Sequence, residues 1–397
     1  MASPFNAAVA ERASTRWDAV LSGVRAEALD CLQSTVAAVA DEAHGSGTHL
    51  ALGSRWRFPS RGADGTVGVQ PSVAERMAQA EEVLGIAVGQ PQGPAGPAEL
   101  RRLAGAGPVY VVAEAYDLQW LPYSRATVRY REMPHSFLIE QTGSGYTVVD
   151  AYYADTEWGR ARPHAWTMEA SELDKAVQGK GIAIRMTAGP PPAPDHASAM
   201  RENAIAAREA GPVIEEYLDT ARETLYQPEG IERLVLDIWH LCRERLLATI
   251  WLGEHEAATA AERTAHAWQQ LAAQSYLASR RARRGARPNL ALIDDMGTLL
   301  RADAALLAEL GGAPTAAIEN TVRQVLGSTL GLAPESLRMD STLRTLPGFD
   351  SFRLVEIIDR LEGQLGLGFP ADVPAADLAD VAGLCRVFTR AARTEAR

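Results

Sequence analysis

One short string near the C-terminus restricts the fold of this chain more than any other feature. An Asp350-Ser351 pair precedes a segment whose apolar residues recur at helical spacing, namely Phe352, Val355, Ile358 and Leu361. This spacing predicts an amphipathic helix with Ser351 at its N-terminus. Because the N–H groups and the dipole of a helix N-terminus favour a phosphate, Ser351 is a candidate site for attaching a phosphodiester.

The sequence on both sides of this pair extends the pattern to a whole small domain. Upstream, the apolar residues that recur at the spacing of a first helix are Ile318, Val322, Val325, Leu326 and Leu330. Ser341-Thr342-Leu343 precedes the pair, and Phe369-Pro370 follows the predicted helix. The region from about Thr315 to Arg390 resembles the acyl and peptidyl carrier proteins of polyketide and nonribosomal assembly lines.

That resemblance implies a four-helix carrier-protein bundle over residues 315–392, with 4′-phosphopantetheine attached covalently to Ser351 as its cofactor. It also implies two protein partners. One is a phosphopantetheinyl transferase, and the other is an acyl-loading enzyme or upstream assembly-line protein. The alternative interpretation is an ordinary N-capped helix in which Ser351 is solvated and inert.

Composition sets broad limits on the rest of the chain. Its 397 residues allow two or three domains, and 47% hydrophobic residues are typical of a soluble globular protein. There is neither a long apolar run nor a signal peptide, so we expect a cytoplasmic protein without a membrane partner. A formal charge of −11 disfavours nucleic acid as a partner.

Two Pro-rich stretches predict linkers and hence three domains. They are Gly189-Pro190-Pro191-Pro192-Ala193-Pro194 and Gly311-Gly312-Ala313-Pro314. The predicted domains cover residues 1–188, 196–310 and 315–392. The middle one has the helical periodicity of an all-α bundle, in which Trp239, Trp251 and Trp268 are expected to pack in the core.

The first domain has the pattern of an α+β fold. Helical sequence from Val9 to Ala43 comes first, and β-branched or aromatic runs follow at 109–112, 136–139 and 146–149. The last two runs flank Gly143-Ser144-Gly145 and predict a β-hairpin.

Cys31 is the candidate nucleophile of this domain. It follows Asp30 at the predicted start of a helix, where the positive end of the dipole favours a thiolate. Packing of a buried cysteine is the alternative. Cys242 and Cys385 lie within amphipathic helical segments, where packing explains them. Three scattered cysteines argue against a disulfide framework or a zinc cluster, and no metal site is predicted.

The hairpin supplies a candidate base and a candidate acid. His135 begins its first strand and Asp150 ends its second. With a two-residue loop at Gly143-Ser144, the two side chains share one face of the sheet and lie one diagonal step apart. A three-residue loop reverses the parity, unless a bulge restores it. In the first register, His135 can act as a base that Asp150 orients.

The order of these three residues resembles a papain-like fold. The segments Glu114-Ala115-Tyr116-Asp117-Leu118-Gln119-Trp120-Leu121-Pro122-Tyr123, Pro134-His135-Ser136 and Val148-Val149-Asp150 are similar to the butirosin-biosynthesis acyltransferase family and its cysteine-peptidase-like relatives. The resemblance covers roughly residues 20–185 and implies a catalytic triad of Cys31, His135 and Asp150. The papain pattern has a Gln shortly before the cysteine, whereas this chain has Arg25-Ala26-Glu27-Ala28. An oxyanion would then be bound by the Cys31 N–H, by Gln33 or by another group.

Together the two resemblances predict a cysteine-dependent acyltransferase of natural-product biosynthesis. An acyl or aminoacyl group on the Ser351 arm would pass to Cys31 and then to a small-molecule amine, giving an amide. Hydrolytic or cyclising release, as by a thioesterase or cyclase, is one alternative. A carrier protein fused to a catalytically inactive, papain-shaped docking domain is another.

Two further groups of residues carry weaker expectations. The histidines other than His135 show no metal-ligand spacing, so we expect them at the surface or in structural roles. The basic run from Arg280 to Arg287 is expected to be a solvated helix end. Its alternative role is to dock the acidic side of a carrier domain or the phosphate of its arm.

Overall fold

The computed structural model describes residues 16–395, except for 63–64, 127–131, 144, 179–180, 191–195, 228, 254, 256, 312 and 371. Over this part of the chain, helices and sheets are mixed and the C-terminal part is helical, as predicted. The chain divides into two compact units, residues 1–304 and 305–397. Among the described residues, no helix has the length and apolarity needed to cross a membrane.

An antiparallel sheet forms the centre of the N-terminal unit. In the described residues it contains β3 (Ile86–Val88), β4 (Gln92–Ala95), β5 (Val109–Glu114), β6 (Pro134–Thr142), β7 (Gly145–Asp150), β10 (His164–Met168) and β11 (Gly181–Ala188). The strand order is β10-β7-β6-β5-β11-β3, and β4 also pairs with β11. Two small ribbons pair β1 (Ser60–Arg61) with β2 (Val67–Gly68) and β8 (Ala154–Thr156) with β9 (Gly159–Ala161).

Both faces of this sheet are covered, which explains the continuous apolar runs of its central strands. Along β5, Tyr110 and Val112 belong to one hydrophobic core, whereas Val109 and Val111 belong to the core on the other face. Alternate side chains of a strand point to opposite faces, so a strand between two cores needs apolar residues throughout.

The predicted hairpin is formed by β6 and β7, and its register is the one that a two-residue loop requires. Thr142 pairs with Gly145, and Leu138 pairs with Val149. Ser144 lies outside the described residues. Continuing this register places His135 and Asp150 on one face, which confirms the first of the two alternatives.

Helices of the N-terminal half pack on the sheet. They are α1 (Arg16–Gly23), α2 (Cys31–His44), α3 (Val73–Leu84), α4 (Pro97–Ala104) and α5 (Ala170–Val177). The predicted helical stretch from Val9 to Ala43 is therefore interrupted between Gly23 and Cys31, and its first residues lie outside the described range. The interruption has a local cause, because Asp30 caps a new helix. Its Oδ1 accepts from the Gln33 N–H at 2.7 Å, and Gln33 Oε1 accepts from the Asp30 N–H at 3.4 Å.

The middle segment is helical as predicted. It contains α6 (His196–Glu209), α7 (Gly211–Thr224), α8 (Gly230–Leu252), α9 (Ala258–Ala282) and α10 (Ala291–Gly311). Residues up to Ala304 nevertheless form one compact unit with the sheet. Leu247 of α8 packs in the same core as Leu29 and Val36. The change of pattern between residues 188 and 196 thus separates two types of secondary structure within one unit, and residues 191–194 of the first Pro-rich stretch lie outside the described range.

A buried chain of charges joins this helical segment to the start of α2. Arg76 of α3 donates to Asp30 Oδ2 from Nη2 at 2.6 Å and to Glu244 Oε1 of α8 at 2.9 Å. The next residue, Arg245, donates to Asp303 Oδ2 of α10 at 2.8 Å. Burial alone would raise the pKa of Asp30, but Arg76, His240 and the Gln33 N–H together lower it. The N-cap of α2 is therefore a buried carboxylate held by a buried guanidinium.

The C-terminal unit is a small bundle with its own core. Its elements are α11 (Ala313–Leu330), α12 (Ser351–Leu365), α13 (Val381–Glu395) and short 3-10 turns, including one at Ala375–Leu378. The predicted first-helix residues Ile318, Val322, Val325 and Leu326 are buried in this core. The 3-10 turn takes the place of one of the four expected helices, because Pro370 and Pro374 interrupt the chain before it.

The second Pro-rich stretch lies where α10 ends at Gly311 and α11 begins at Ala313, with residue 312 outside the described range. One expectation about this region is corrected by the structure, because the apolar face predicted for α12 is partly wrong. Ile357 and Leu361 are buried, whereas Phe352 is 88% exposed and Val355 is 66% exposed. The helix has apolar residues on two faces, and spacing alone does not show which one is buried.

We predict that Arg76→Met strongly destabilises the N-terminal unit. The change leaves the carboxylates of Asp30 and Glu244 buried without their guanidinium partner, which costs about 3–5 kcal/mol. Urea unfolding measures the loss. The matched control is Arg102→Ala, which removes a surface pair with Glu99 and should leave the unfolding midpoint unchanged. An equally small effect of Arg76→Met would contradict the importance of this charge chain.

Candidate active site and attachment serine

Cys31 is the first residue of α2, and strand β6 holds this helix end in place. Ser136 Oγ donates to the Cys31 carbonyl oxygen at 2.8 Å, and Thr35 Oγ1 donates to the Ser136 carbonyl oxygen at 3.0 Å. The Cys31 thiol lies 3.4 Å from the carbonyl oxygen of Pro134, the residue before His135. As the first residue of the helix, Cys31 has a backbone N–H without an intrahelical acceptor. A thiol and a free N–H therefore lie next to the start of β6.

His135 and Asp150 form the pair that the hairpin register predicts. His135 Nε2 lies 2.8 Å from Asp150 Oδ2, and both side chains are buried. The same oxygen accepts from Trp120 Nε1 at 2.9 Å, and Oδ1 accepts from the Tyr152 N–H at 3.0 Å. Because three donors bind its carboxylate, the side chain of Asp150 has a fixed orientation. Its hydrogen bond to Nε2 in turn fixes the orientation of the imidazole ring of His135.

The electrostatics of the pair favour an imidazolium. Burial opposes the charged form, but the charge and the hydrogen bond of Asp150, together with contact with Cys31, raise the pKa of His135 to about 10. Burial would raise the pKa of Asp150, yet His135 lowers it. Since Nε2 faces Asp150, Nδ1 is the ring nitrogen left for the thiol. The structure thus brings Cys31, His135 and Asp150 together, and their catalytic role stays a prediction.

Cys31 and His135 line a cavity of about 280 Å³ in the N-terminal unit, whereas Asp150 lies behind His135 and does not line it. The sheet domain supplies one wall, and helices α8 and α9 supply another. The aromatic side chains lining it are Tyr116, Tyr123, Tyr152, Trp158, Trp239 and Tyr276. Trp268 is buried in the core as expected. Trp251 is also buried. Trp239 is half-buried and packs against the core, as predicted, and it also lines the cavity.

Arg243 of α8 is a residue that the sequence analysis missed. Its guanidinium is buried and donates to the carbonyl oxygens of Ala26 at 3.0 Å, Leu29, and Tyr153 at 2.6 Å. It also lies 4.1 Å from the ring centroid of Trp239. Arg243 therefore connects the segment before Cys31 with the segment after Asp150. A sequence signal existed, since Arg243-Glu244-Arg245 interrupts an otherwise apolar helical run.

The remaining candidates of the sequence analysis have structural roles. Gln33 is 2% exposed and caps α2, while its Nε2 donates to Gln79 Oε1 at 3.4 Å, so it does not serve an oxyanion. His49 is buried, and its Nδ1 lies 2.8 Å from Asp41 Oδ2.

The two other cysteines are explained by packing. Burial raises the pKa of Cys242 to about 11, and Cys385 is buried in the C-terminal core. In the described ranges, no group of three His, Cys, Asp or Glu side chains is arranged to hold a metal ion.

The basic run at the end of α9 agrees only partly with the expected solvated helix end. The helix stops at Ala282, and Arg280, Arg281 and Arg284 are exposed. Arg283 is exposed as well, but it forms a bidentate pair with Glu232, with both distances 2.9 Å, and also contacts Glu157. These three residues line the cavity. Arg283 therefore belongs to the wall of the site.

The C-terminal unit presents Ser351 at a helix start. Asp350 Oδ1 accepts from the Arg353 N–H at 2.8 Å and caps α12, whose first residue is the exposed Ser351. A family model described as a phosphopantetheine attachment site matches residues 320–387. The C-terminal unit is a carrier domain. No curated protein matches the chain at a significant level.

The carrier domain carries covalently attached 4′-phosphopantetheine, as the sequence predicts. Such a domain implies a phosphopantetheinyl transferase and an acyl-handling enzyme as partners. Ser351 lies within the matched region, and the N–H groups at the start of α12 suit a phosphate. Phe352 and Val355 add exposed apolar surface beside it.

We predict that Ser351→Ala abolishes modification of the carrier domain. The hydroxyl of Ser351 is the expected attachment point of the phosphodiester, so its removal leaves no acceptor. Incubation with coenzyme A and a phosphopantetheinyl transferase, followed by intact-protein mass spectrometry, measures the modification. The matched control is Ser336→Ala, at an exposed 3-10 turn of the same domain, which should be modified like the wild type. A modified Ser351→Ala protein would refute this assignment.

Proposed function

We propose that the N-terminal unit is a papain-like, cysteine-dependent acyltransferase. It takes an acyl or aminoacyl group from the phosphopantetheine thioester of the carrier domain and transfers it, through a Cys31 thioester, to an amine. The observation that carries the proposal is that Cys31 and His135 line one cavity while Asp150 is hydrogen-bonded to His135, in a chain that also holds a carrier domain. A carrier domain needs an enzyme that handles its thioester, and this cavity contains the groups that such an enzyme requires.

In the first step, the Cys31 thiolate attacks the thioester carbonyl of the arm. The carbon–sulfur bond to pantetheine breaks, and the imidazolium of His135 gives its proton to the departing pantetheine sulfur. The products are an acyl-Cys31 thioester, a free pantetheine thiol and a neutral His135. Because one thioester replaces another, the step is nearly isoenergetic, and the protein contributes mainly positioning and a charged nucleophile.

In the second step, an amine attacks the acyl-Cys31 carbonyl. Neutral His135 takes a proton from the attacking nitrogen, and the Cys31 thiolate leaves. The amide product departs, and the thiolate and imidazolium are restored. Asp150 stabilises the imidazolium in both steps and fixes the ring through its own three hydrogen bonds.

Burial of the His135–Asp150 pair favours an enzyme over an inactive docking domain. Removing two charged groups from water is costly, and a scaffold can use apolar side chains at no such cost. Perturbed titratable groups in a cavity are typical of functional sites, and the raised pKa of His135 belongs to this class. Water or an internal nucleophile could replace the amine in the second step, and the products of the reaction distinguish these outcomes.

We predict that His135→Ala and Asp150→Asn each slow acyl transfer from a preloaded carrier arm by roughly 10²–10⁴-fold. The double variant should be no slower than His135→Ala alone, because residues that act as one unit cannot be lost twice. Single-turnover rates of arm deacylation measure the effect. In the wild type, the first step should slow as the pH rises through about 10, since it consumes the His135 proton.

The matched control for these variants is His266→Ala, which removes an exposed histidine bound to Gln270. It should transfer at the wild-type rate. Circular dichroism and the rate of Cys31 alkylation by iodoacetamide report whether each variant keeps its fold and an accessible thiol. Near-wild-type transfer by folded His135→Ala would show that the hairpin is only scaffold.

A further inference from the structure

Two tyrosine hydroxyls meet at the active-site cavity. Tyr123 belongs to a 3-10 turn at Pro122–Arg125, and Tyr152 follows strand β7. Their hydroxyl oxygens lie 2.9 Å apart, and both residues line the cavity with Cys31 and His135. Their rings are 6.5 Å apart at a 33° angle, so the hydroxyls are joined without stacking of the rings.

The pair contains one more hydroxyl proton than its own hydrogen bond uses. Each hydroxyl has one proton, and a single hydrogen bond between them consumes one of the two. Among the described residues, neither hydroxyl has another hydrogen-bond partner. Burial, with a smaller contribution from the Cys31 charge, raises the pKa of both tyrosines, so both protons are present at neutral pH. One O–H group is therefore free to donate.

The pair lies near the reacting groups. The ring of Tyr152 packs edge-to-face on His135, with centroids 5.2 Å apart, and its backbone N–H is bound by Asp150. Both tyrosines line the same cavity as Cys31, so an acyl group bound on Cys31 shares that cavity with the hydroxyl pair. Arg283, a basic side chain in the cavity wall, is bound to Glu232 and Glu157.

We propose that the Tyr123–Tyr152 pair donates a hydrogen bond to the acyl carbonyl oxygen when Cys31 attacks the thioester. This inference rests on the proposed acyltransferase function. The carbonyl oxygen becomes an oxyanion in the tetrahedral intermediate, and the backbone N–H of Cys31 supplies one donor to it. Gln33 is occupied as a helix cap, so the second donor must come from elsewhere. The free tyrosine O–H supplies it, and the hydroxyl that accepts the pair's own hydrogen bond is the one that faces the substrate.

The test measures single-turnover acylation of Cys31 in the full-length protein. Every protein tested also carries Ser351→Ala, so that no phosphopantetheine arm competes with the added donor. Phenylacetyl-pantetheine and acetyl-pantetheine serve as small-molecule donors. The variants are Tyr123→Phe, Tyr152→Phe and the double change. Tyr226→Phe is the matched control, because it removes a tyrosine hydroxyl from an exposed residue that does not line the cavity. Alkylation of Cys31 by iodoacetamide passes through no oxyanion and reports the thiol alone.

We expect the double variant to acylate Cys31 roughly 10²-fold more slowly, with alkylation and donor KM near those of the control. At least one single variant should also be slowed several-fold, and the slower one identifies the hydroxyl that faces the substrate. Single variants that both match Tyr226→Phe, or a double variant that does so, would overturn this inference while leaving the acyltransferase proposal intact. Absence of acylation by either donor in the protein with intact tyrosines would overturn both.

Discussion

The arrangement of the N-terminal unit depends on the buried ion pair between Asp30 and Arg76. Asp30 starts the helix whose first residue is Cys31, so the guanidinium that holds Asp30 also fixes where the thiol lies. Through Glu244, the same guanidinium binds α8, the helix that carries Trp239 and Arg243. Removing either charge would leave its partners buried and unpaired, which makes this network costly to break. One set of charges thus couples the helix start to the opposite wall of the cavity.

The candidate active-site cavity follows from that coupling. The proposed papain-like chemistry needs a thiol on a helix and a base on a strand, and hydrogen bonds between α2 and β6 join the two. The helical segment closes the cavity from the other side, and Arg243 binds carbonyl groups on both flanks of the proposed triad. The cavity has six Tyr and Trp side chains in its wall, and Arg283 in the wall is paired with Glu232. Such a cavity suits an acyl group that presents its carbonyl to Cys31 and its apolar part to the walls.

The sequence predicts local features well, because they depend on neighbours in the chain. Asp30 and Asp350 both precede helix starts, and the β6–β7 register follows from the alternation and the short loop. Features that depend on tertiary packing cannot be predicted from neighbouring residues in this way. Trp239 and Phe352 are apolar residues at helical spacing, yet one lines a cavity and the other faces solvent. The contact between Tyr123 and Tyr152 joins segments on different elements, and no local pattern predicts it.

The central claim is that Cys31 receives the acyl group from the carrier arm. The most direct measurement loads the arm with a labelled acyl group, using acyl-coenzyme A and a phosphopantetheinyl transferase, in the absence of any amine. Acid quenching, digestion and mass spectrometry then locate the label. The account predicts label on the Cys31 peptide, with a matching loss from the Ser351 peptide. Label that stays on Ser351 while the Cys31 peptide remains unacylated would contradict it.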